Sequence, residues 1–120
     1  MRLTASILLT LVPLIFTGFL AGCEKDRQQM TDAELGLNPQ QSRGRRLYMI
    51  HCALCHPAYS SHGNKGPGLK DLYKKPYLPS GLIPTDEHVE QSIVRGRNMM
   101  PRSELDDQQL GDLIAYLHTL

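Results

Sequence analysis

Two cysteines and a histidine in the middle of the chain stand at a spacing that few chemistries require. Cys52 and Cys55 are three positions apart, and His56 follows directly. On a helix, positions i and i+3 share one face, so the two sulfurs can reach both vinyl groups of one porphyrin. The imidazole then lies under the same ring, where it can ligate iron. The motif therefore predicts one covalently attached haem c, with Cys52 and Cys55 as its thioether links and His56 as an iron ligand.

Two other uses of a cysteine pair fit this chain less well. A redox dithiol of the C-x-x-C type belongs next to a βαβ pattern, which the sequence lacks. A zinc site needs further ligands, and the only other cysteine, Cys23, is remote and follows an apolar leader. In an oxidising compartment, a dithiol without haem would tend to oxidise. Haem attachment is the favoured interpretation.

The second axial ligand of such a haem decides what the iron can do. A filled sixth position leaves no place for a substrate on the iron, which favours electron transfer over catalysis. Met99 and Met100 are candidates because they follow the helix-ending Gly96 and precede Pro101, whose ring stiffens the backbone. They could instead be two gap-filling core side chains. The histidine alternatives are His62, in a glycine-rich loop, and then His51, His88 and His118.

Three segments carry helix patterns, and almost no stretch alternates like a strand, so the sequence predicts an all-α domain. The first predicted helix spans about residues 39–56. The second begins at the N-cap Thr85 and ends at Gly96. The third begins at Asp106, with Gln109 three residues later as in a capping box. The glycine- and proline-rich chain between the first two helices is predicted to be mostly loop, with one helical turn near residues 69–74.

The first 22 residues differ from the rest of the chain. Arg2 is their only charge, and residues 7–20 form an apolar run too short to cross a hydrocarbon core of about 30 Å comfortably. This pattern is typical of a secretory signal peptide, with a transmembrane anchor as the alternative. Leu20, Ala21, Gly22 and Cys23 together resemble the lipobox of bacterial lipoproteins. The resemblance implies a lipoprotein signal peptide over residues 1–22 and lipidation of Cys23 rather than an ordinary signal sequence.

Composition separates the remaining chain into two parts. Residues 23–38 are polar and rich in charge and glutamine, which predicts a flexible tether from the lipidated Cys23, followed by a folded domain over residues 39–120. Beyond residue 22, basic and acidic residues are equal in number, which argues against a nucleic-acid partner. That part also lacks Phe and Trp. A domain so small and poor in large apolar rings buries little surface unaided, and a haem would fill its centre.

Residues 42–120 resemble the class I monohaem cytochromes c, in which three to four helices and long loops surround one covalently bound haem. Gly44 and Tyr48 resemble the glycine and the aromatic residue of that family's first helix. Leu113 and Tyr116 resemble their packing partners on the last helix. The resemblance implies a close crossing of these two helices at Gly44, with the tyrosine rings filling its sides.

Two loops carry further resemblance to the same family. The segment that contains Pro67 and Leu69 resembles the family's Gly-Pro-x-Leu sequence. This implies that the Pro67 carbonyl accepts a hydrogen bond from His56 and that Leu69 packs on the haem. The Met-Pro loop resembles that of bacterial members, which implies Met100 as the sixth iron ligand, with Met99 second.

Motif and resemblance together predict an electron carrier rather than an enzyme. Redox proteins are the expected partners, acidic at the docking face, and the protein is expected to be exported to a bacterial cell envelope. There the lipid would hold it to a membrane with the haem domain on the periplasmic or extracytoplasmic side, either as a monomer or within a membrane complex. A haem sensor or catalyst with a labile sixth ligand, and a dedicated subunit of a larger oxidoreductase, remain alternatives.

Basic residues flank both the haem motif and the methionine loop. We expect them to steer an acidic partner to the haem edge. Ordinary solvated charge is the alternative explanation. The residues are Arg43, Arg45, Arg46, Lys65, Lys70, Lys74, Lys75, Arg95, Arg97 and Arg102.

Overall fold

Three helices and long loops build the protein. The structure, a computed structural model, describes residues 25–120. The helices are α1 (Pro39–His51), α2 (Asp86–Arg95) and α3 (Asp107–Leu117), with short 3₁₀ helices at Arg27–Gln29 and Leu72–Lys74. No strand forms within residues 25–120, so the all-α prediction is confirmed. None of the helices in this part of the chain has the length and apolar character needed to span a bilayer.

Helix α2 begins and ends close to where its capping residues predicted, and α3 begins where its capping residues predicted. The Thr85 side chain accepts the N–H of His88 at 3.3 Å. Asp106 accepts the N–H of Gln109 at 2.8 Å, and the Gln109 side chain accepts the N–H of Asp106 at 3.0 Å, which completes the capping box. Gly96 ends α2 with a φ of 67°, a left-handed value that glycine adopts without a steric penalty.

Helix α1 ends earlier than the sequence predicted. The helical pattern extended to His56, but the structure ends α1 at His51 because Cys52 leaves helical geometry, with a φ of −121°. The Tyr48 carbonyl accepts the N–H of Cys52 at 2.8 Å and that of the following residue at 3.0 Å, and this sharing closes the helix. The haem motif therefore lies in the turns that follow α1, and not on one face of a helix as predicted.

A close crossing of α1 and α3 forms the centre of the fold. A Cβ at Gly44 would overlap the Asp112 carbonyl oxygen and lie 2.9 Å from the Tyr116 Cβ, so only glycine permits this approach. The rings of Tyr48 and Tyr116 pack beside it with centroids 5.4 Å apart. The Arg43 guanidinium binds the buried Asp112 carboxylate through two hydrogen bonds, at 2.7 and 3.0 Å. The helix packing implied by the family resemblance is confirmed.

The hydrophobic core extends from this crossing to α2 and to the long loop. The 3₁₀ helix Leu72–Lys74 falls within the predicted turn and contributes its first residue to the core. The buried apolar residues are Tyr48, Ala58, Leu72, Leu78, Val89, Ile93, Leu113, Ile114, Tyr116 and Leu117.

The described part of the expected tether contacts the folded domain. Arg45 of α1 donates hydrogen bonds to Asp32 and to the Met30 carbonyl, both at 2.7 Å. The signal peptide and the lipidated Cys23 lie outside the described residues. The division of the chain into signal, tether and domain stays a prediction.

Candidate haem-binding site

The turn that carries Cys52, Cys55 and His56 is closed by its own backbone. The N–H groups of Cys55 and His56 both donate to the Cys52 carbonyl, at 3.0 and 2.9 Å. Both cysteines are partly exposed and both are free thiols. Burial, with a smaller effect from the neighbouring Cys55, raises the pKa of the Cys52 thiol to about 11. Because both are free thiols, no disulfide between them competes with attachment to a haem.

Donors from two other parts of the chain hold three successive carbonyls of this turn. One donor comes from α1 and two come from the glycine-rich loop after the motif, so the turn is fixed from both sides. Each of these carbonyls therefore has a hydrogen-bond donor, and the backbone of the turn is held in one conformation. The pairs are Asn64 Nδ2 to Leu54 O at 3.1 Å, Gly66 N to Cys55 O at 2.9 Å, and Tyr48 Oη to His56 O at 2.5 Å.

The His56 imidazole is oriented by the same glycine-rich loop. Its Nδ1 lies 2.9 Å from the Pro67 carbonyl oxygen. Because a carbonyl only accepts, Nδ1 carries the proton and Nε2 keeps its lone pair for a metal. A Cβ at Gly66 would overlap the ring and lie 2.8 Å from Nε2, so a glycine is required beside the imidazole. The hydrogen bond from His56 to Pro67 is the one that the family resemblance implied.

Met99 and Met100 lie in different surroundings. A tight turn joins Arg97 and Met100 through two backbone hydrogen bonds, at 3.0 and 2.9 Å, with Asn98 at a φ of 53°. Met99 at the tip of this turn is 82% exposed, whereas Met100 is partly buried and packs against the core. A Cβ at Gly96 would lie 2.5 Å from the Met100 carbonyl oxygen, so the loop folds back closely on the end of α2.

Two of the four other histidines are engaged away from the motif. His88 Nδ1 lies 2.8 Å from a backbone carbonyl of the loop before α2. His118 Nε2 lies 2.7 Å from an Asp86 carboxylate oxygen, a contact that links the end of α3 to the start of α2. His51 and His62 are exposed. None of these contacts brings a histidine to the cysteine pair.

The groups present fit a haem c. Two free thiols suit thioether bonds, an imidazole with a free Nε2 suits one axial position, and the thioether of the partly buried Met100 suits the other. Leu69, which lies between His56 and Met100 along the chain, is partly buried and packs against the core. All four donors come from one domain.

Comparison with known proteins identifies the family. Residues 39–117 match the family described as cytochrome c oxidase, cbb3-type, subunit III. The chain belongs to the cytochrome c family. The cofactor of this cytochrome is a covalently bound haem c with iron, and the protein is an electron carrier rather than a catalytic enzyme.

Three curated relatives are similar over most of their length. A cytochrome c-553-like protein of Synechocystis is 30% identical over 72% of this chain and 74% of its own. Cytochrome c-551 of Bacillus subtilis is 29% identical over 82% of this chain and 81% of its own. Cytochrome c2 of Rhodopila globiformis is 30% identical over 64% of this chain and 90% of its own. No solved structure matches the chain.

The basic residues around the site of this cytochrome are not all available to a partner. Three of them form ion pairs within the chain, and one of the acidic partners, Asp112, is buried. A docking surface must rest on the others, of which Arg46, Lys65, Lys70, Arg95, Arg97 and Arg102 are exposed. The internal pairs are Arg43 with Asp112, Arg45 with Asp32, and Lys74 with Asp71, each at 2.7 Å.

Proposed function

We propose that this cytochrome passes single electrons between membrane-associated redox proteins, with His56 and Met100 as its two iron ligands. The observation that carries the proposal is the contrast between the two methionines. Met100 packs against the core, while Met99 points to solvent. A protein ligand at both axial positions leaves the iron closed to substrates. That arrangement suits electron transfer.

Each remaining site residue has a defined part in holding the group. Cys52 and Cys55 would attach the haem, which supplies one-electron chemistry when bound. The Pro67 carbonyl keeps Nδ1 of His56 protonated and fixes the plane of its ring, which makes Nε2 a better donor. Leu69, which packs against the core, would pack on the haem.

We place the protein outside the cytoplasm, held to a membrane by a lipid on Cys23. The support is the apolar leader and the lipobox-like residues before Cys23 in the sequence. Two acyl chains give stable anchoring where one does not. The exposed basic residues favour redox partners with an acidic docking face.

A dedicated electron-transfer subunit of a larger oxidase is the second candidate function. It is favoured by the description of the matching family, which names a subunit of the cbb3-type cytochrome c oxidase. Purification from native membranes in mild detergent separates the two functions. A free carrier purifies alone, whereas a subunit purifies at a fixed ratio to its oxidase.

Optical and resonance Raman spectra of the wild type beside Met100→Ala and Met99→Ala test the proposed ligands. We expect the wild type and Met99→Ala to keep the methionine–iron charge-transfer band and to bind carbon monoxide slowly. Met100→Ala should lose the band and bind carbon monoxide quickly. The opposite result for the two variants would make Met99 the ligand. A wild type without the band would favour the sensor or catalyst with a labile sixth ligand.

A further inference from the structure

Residues 25–37, which we call the strap, fold against helix α1. Arg45 of α1 is the main contact, and its side chain is only 14% exposed. Its guanidinium donates to the Asp32 carboxylate at 2.7 Å, to the Met30 carbonyl at 2.7 Å and to the Gln28 carbonyl at 3.3 Å. One planar, charged fork thus binds three acceptors of one segment, which is a geometry that arginine provides and lysine does not.

The strap has internal structure of its own. The N–H of Thr31 donates to the Glu34 carboxylate at 2.6 Å, and the N–H of Glu34 donates back to Thr31 Oγ1 at 3.3 Å. Lys25 binds the same carboxylate at 2.8 Å, and together these donors lower the pKa of Glu34 to about 2. Arg27 lies over the Tyr59 ring, 4.7 Å from its centroid, which gives the strap a second contact with the domain.

We propose that the strap is a docked arm rather than a flexible tether. It holds the face of the cytochrome that is formed by the strap and α1 against an anionic lipid surface. The proposal rests on the lipidation of Cys23 proposed above. Only Glu24 separates Cys23 from the strap in the sequence, and two residue steps extend by about 7 Å. A free tether over residues 23–38 would instead reach roughly 22 Å on average.

The surface beside the strap suits a bilayer interface. A groove of about 300 Å³ between strap and α1 is lined by Asp32, Arg45, Arg46, Met49 and Ile50. Met49 and Ile50 are 57% and 75% exposed. The two exposed apolar side chains suit the boundary of the acyl chains, and the exposed Arg46 beside them suits the negative headgroups. The haem would then exchange electrons only with partners whose docking site lies close to the membrane.

Hydrogen exchange on the haem-loaded full chain tests the docking of the strap. Three strap amides, those of Leu35, Gly36 and Leu37, donate to strap carbonyls at 3.0 to 3.1 Å. We expect Arg45→Gln to raise their exchange rates at least tenfold. The control Arg95→Gln, which changes an exposed arginine at the end of α2, should leave them unchanged. Equal and fast exchange in wild type and Arg45→Gln would show a free tether and overturn the docked arm.

Energy transfer from headgroup-labelled lipid to the haem tests the orientation. Mass spectrometry first shows whether Cys23 is acylated. The haem-loaded full chain is then bound to phosphatidylglycerol vesicles. We expect the wild type and Arg95→Gln to quench the lipid emission strongly, and Arg45→Gln or Met49→Gln to quench it less. Equal quenching by all four proteins with acylated Cys23 would overturn the orientation. An unmodified Cys23 would overturn the proposed anchor, and the orientation with it, while hydrogen exchange still decides whether the strap is docked.

Discussion

At the scale of single residues, the haem-attachment turn depends on groups that hold its backbone as well as on its cysteines and histidine. Tyr48 donates to the His56 carbonyl at 2.5 Å and Asn64 donates to the Leu54 carbonyl at 3.1 Å. Neither residue coordinates anything. Their hydrogen bonds fix the chain on both sides of His56, so the direction of the imidazole is set before any ligand bond to iron.

Tyr48→Phe removes one of these hydrogen bonds and keeps the ring that packs on Tyr116. We expect the free energy of unfolding of the haem-loaded protein to fall by about 1 kcal/mol, since the His56 carbonyl loses its donor. Denaturant titration measures the loss. Tyr77→Phe is the control, because the Tyr77 side chain is 63% exposed. Equal stability of the two variants would show that the hydroxyl of Tyr48 contributes nothing.

The buried Asp112 gives stability a dependence on pH. The Arg43 guanidinium, chiefly through its hydrogen bonds, holds the pKa of Asp112 below its usual range. Because the folded pKa is the lower one, this stabilisation is complete above the unfolded value of about 3.9 and is lost as the pH falls through the folded pKa. Asp112→Asn should therefore flatten the fall of the free energy of unfolding below pH of about 4. Asp107→Asn, in the exposed first turn of α3, is the control, and identical slopes would contradict the prediction.

At the scale of helices, the crossing of α1 and α3 depends on one missing side chain. Gly44→Ala would force a Cβ into the Asp112 backbone, so we expect a loss of about 1–3 kcal/mol in the free energy of unfolding. Gly111→Ala on α3 is a matched control, because no atom lies within 4 Å of its added Cβ. That variant should be stabilised by up to about 1 kcal/mol, since alanine is the better helix former. Changes of the same sign in both variants would contradict the close crossing.

The sequence predicted those helix ends that short-range interactions determine. Thr85 and the pair Asp106 and Gln109 cap their own helices, so their effect is visible within four residues. The end of α1 was predicted five residues too late, because apolar spacing continues through the motif while the backbone turns at Cys52. The contacts of Arg45 with the strap also escaped prediction. A polar segment has the same composition whether it is free or docked.

The candidate site shows the same division between local and distant contacts. Cys52, Cys55 and His56 could be found from the sequence because their types and spacing have few other uses. Asn64 could not, because an asparagine in a glycine-rich loop is typical of any turn. Its amide reaches a carbonyl ten residues back, and only the folded chain reveals that contact.

At the scale of the whole molecule, internal ion pairs reduce the charge that a partner meets. We expect electron transfer to an acidic redox protein to slow as ionic strength rises from about 10 mM to about 200 mM, because screening weakens the attraction. Arg97→Gln, beside the methionine loop, should slow it at low salt. The double change Lys74→Gln with Asp71→Asn should have a smaller effect, since it removes both charges of one pair and leaves the net charge unchanged. Stopped-flow rates that do not change with salt would remove the steering hypothesis.

The ion pair of Arg43 with Asp112 joins residues 69 positions apart, and α1 packs mainly on α3. Closing so long a loop has an entropy cost. During synthesis from the amino terminus, α1 and the cysteine turn emerge well before the helix that completes them. For that interval Cys52 and Cys55 stay open on an unfinished chain. The topology thus sets an order of events in time, in which both thiols are synthesised before α3 packs on α1.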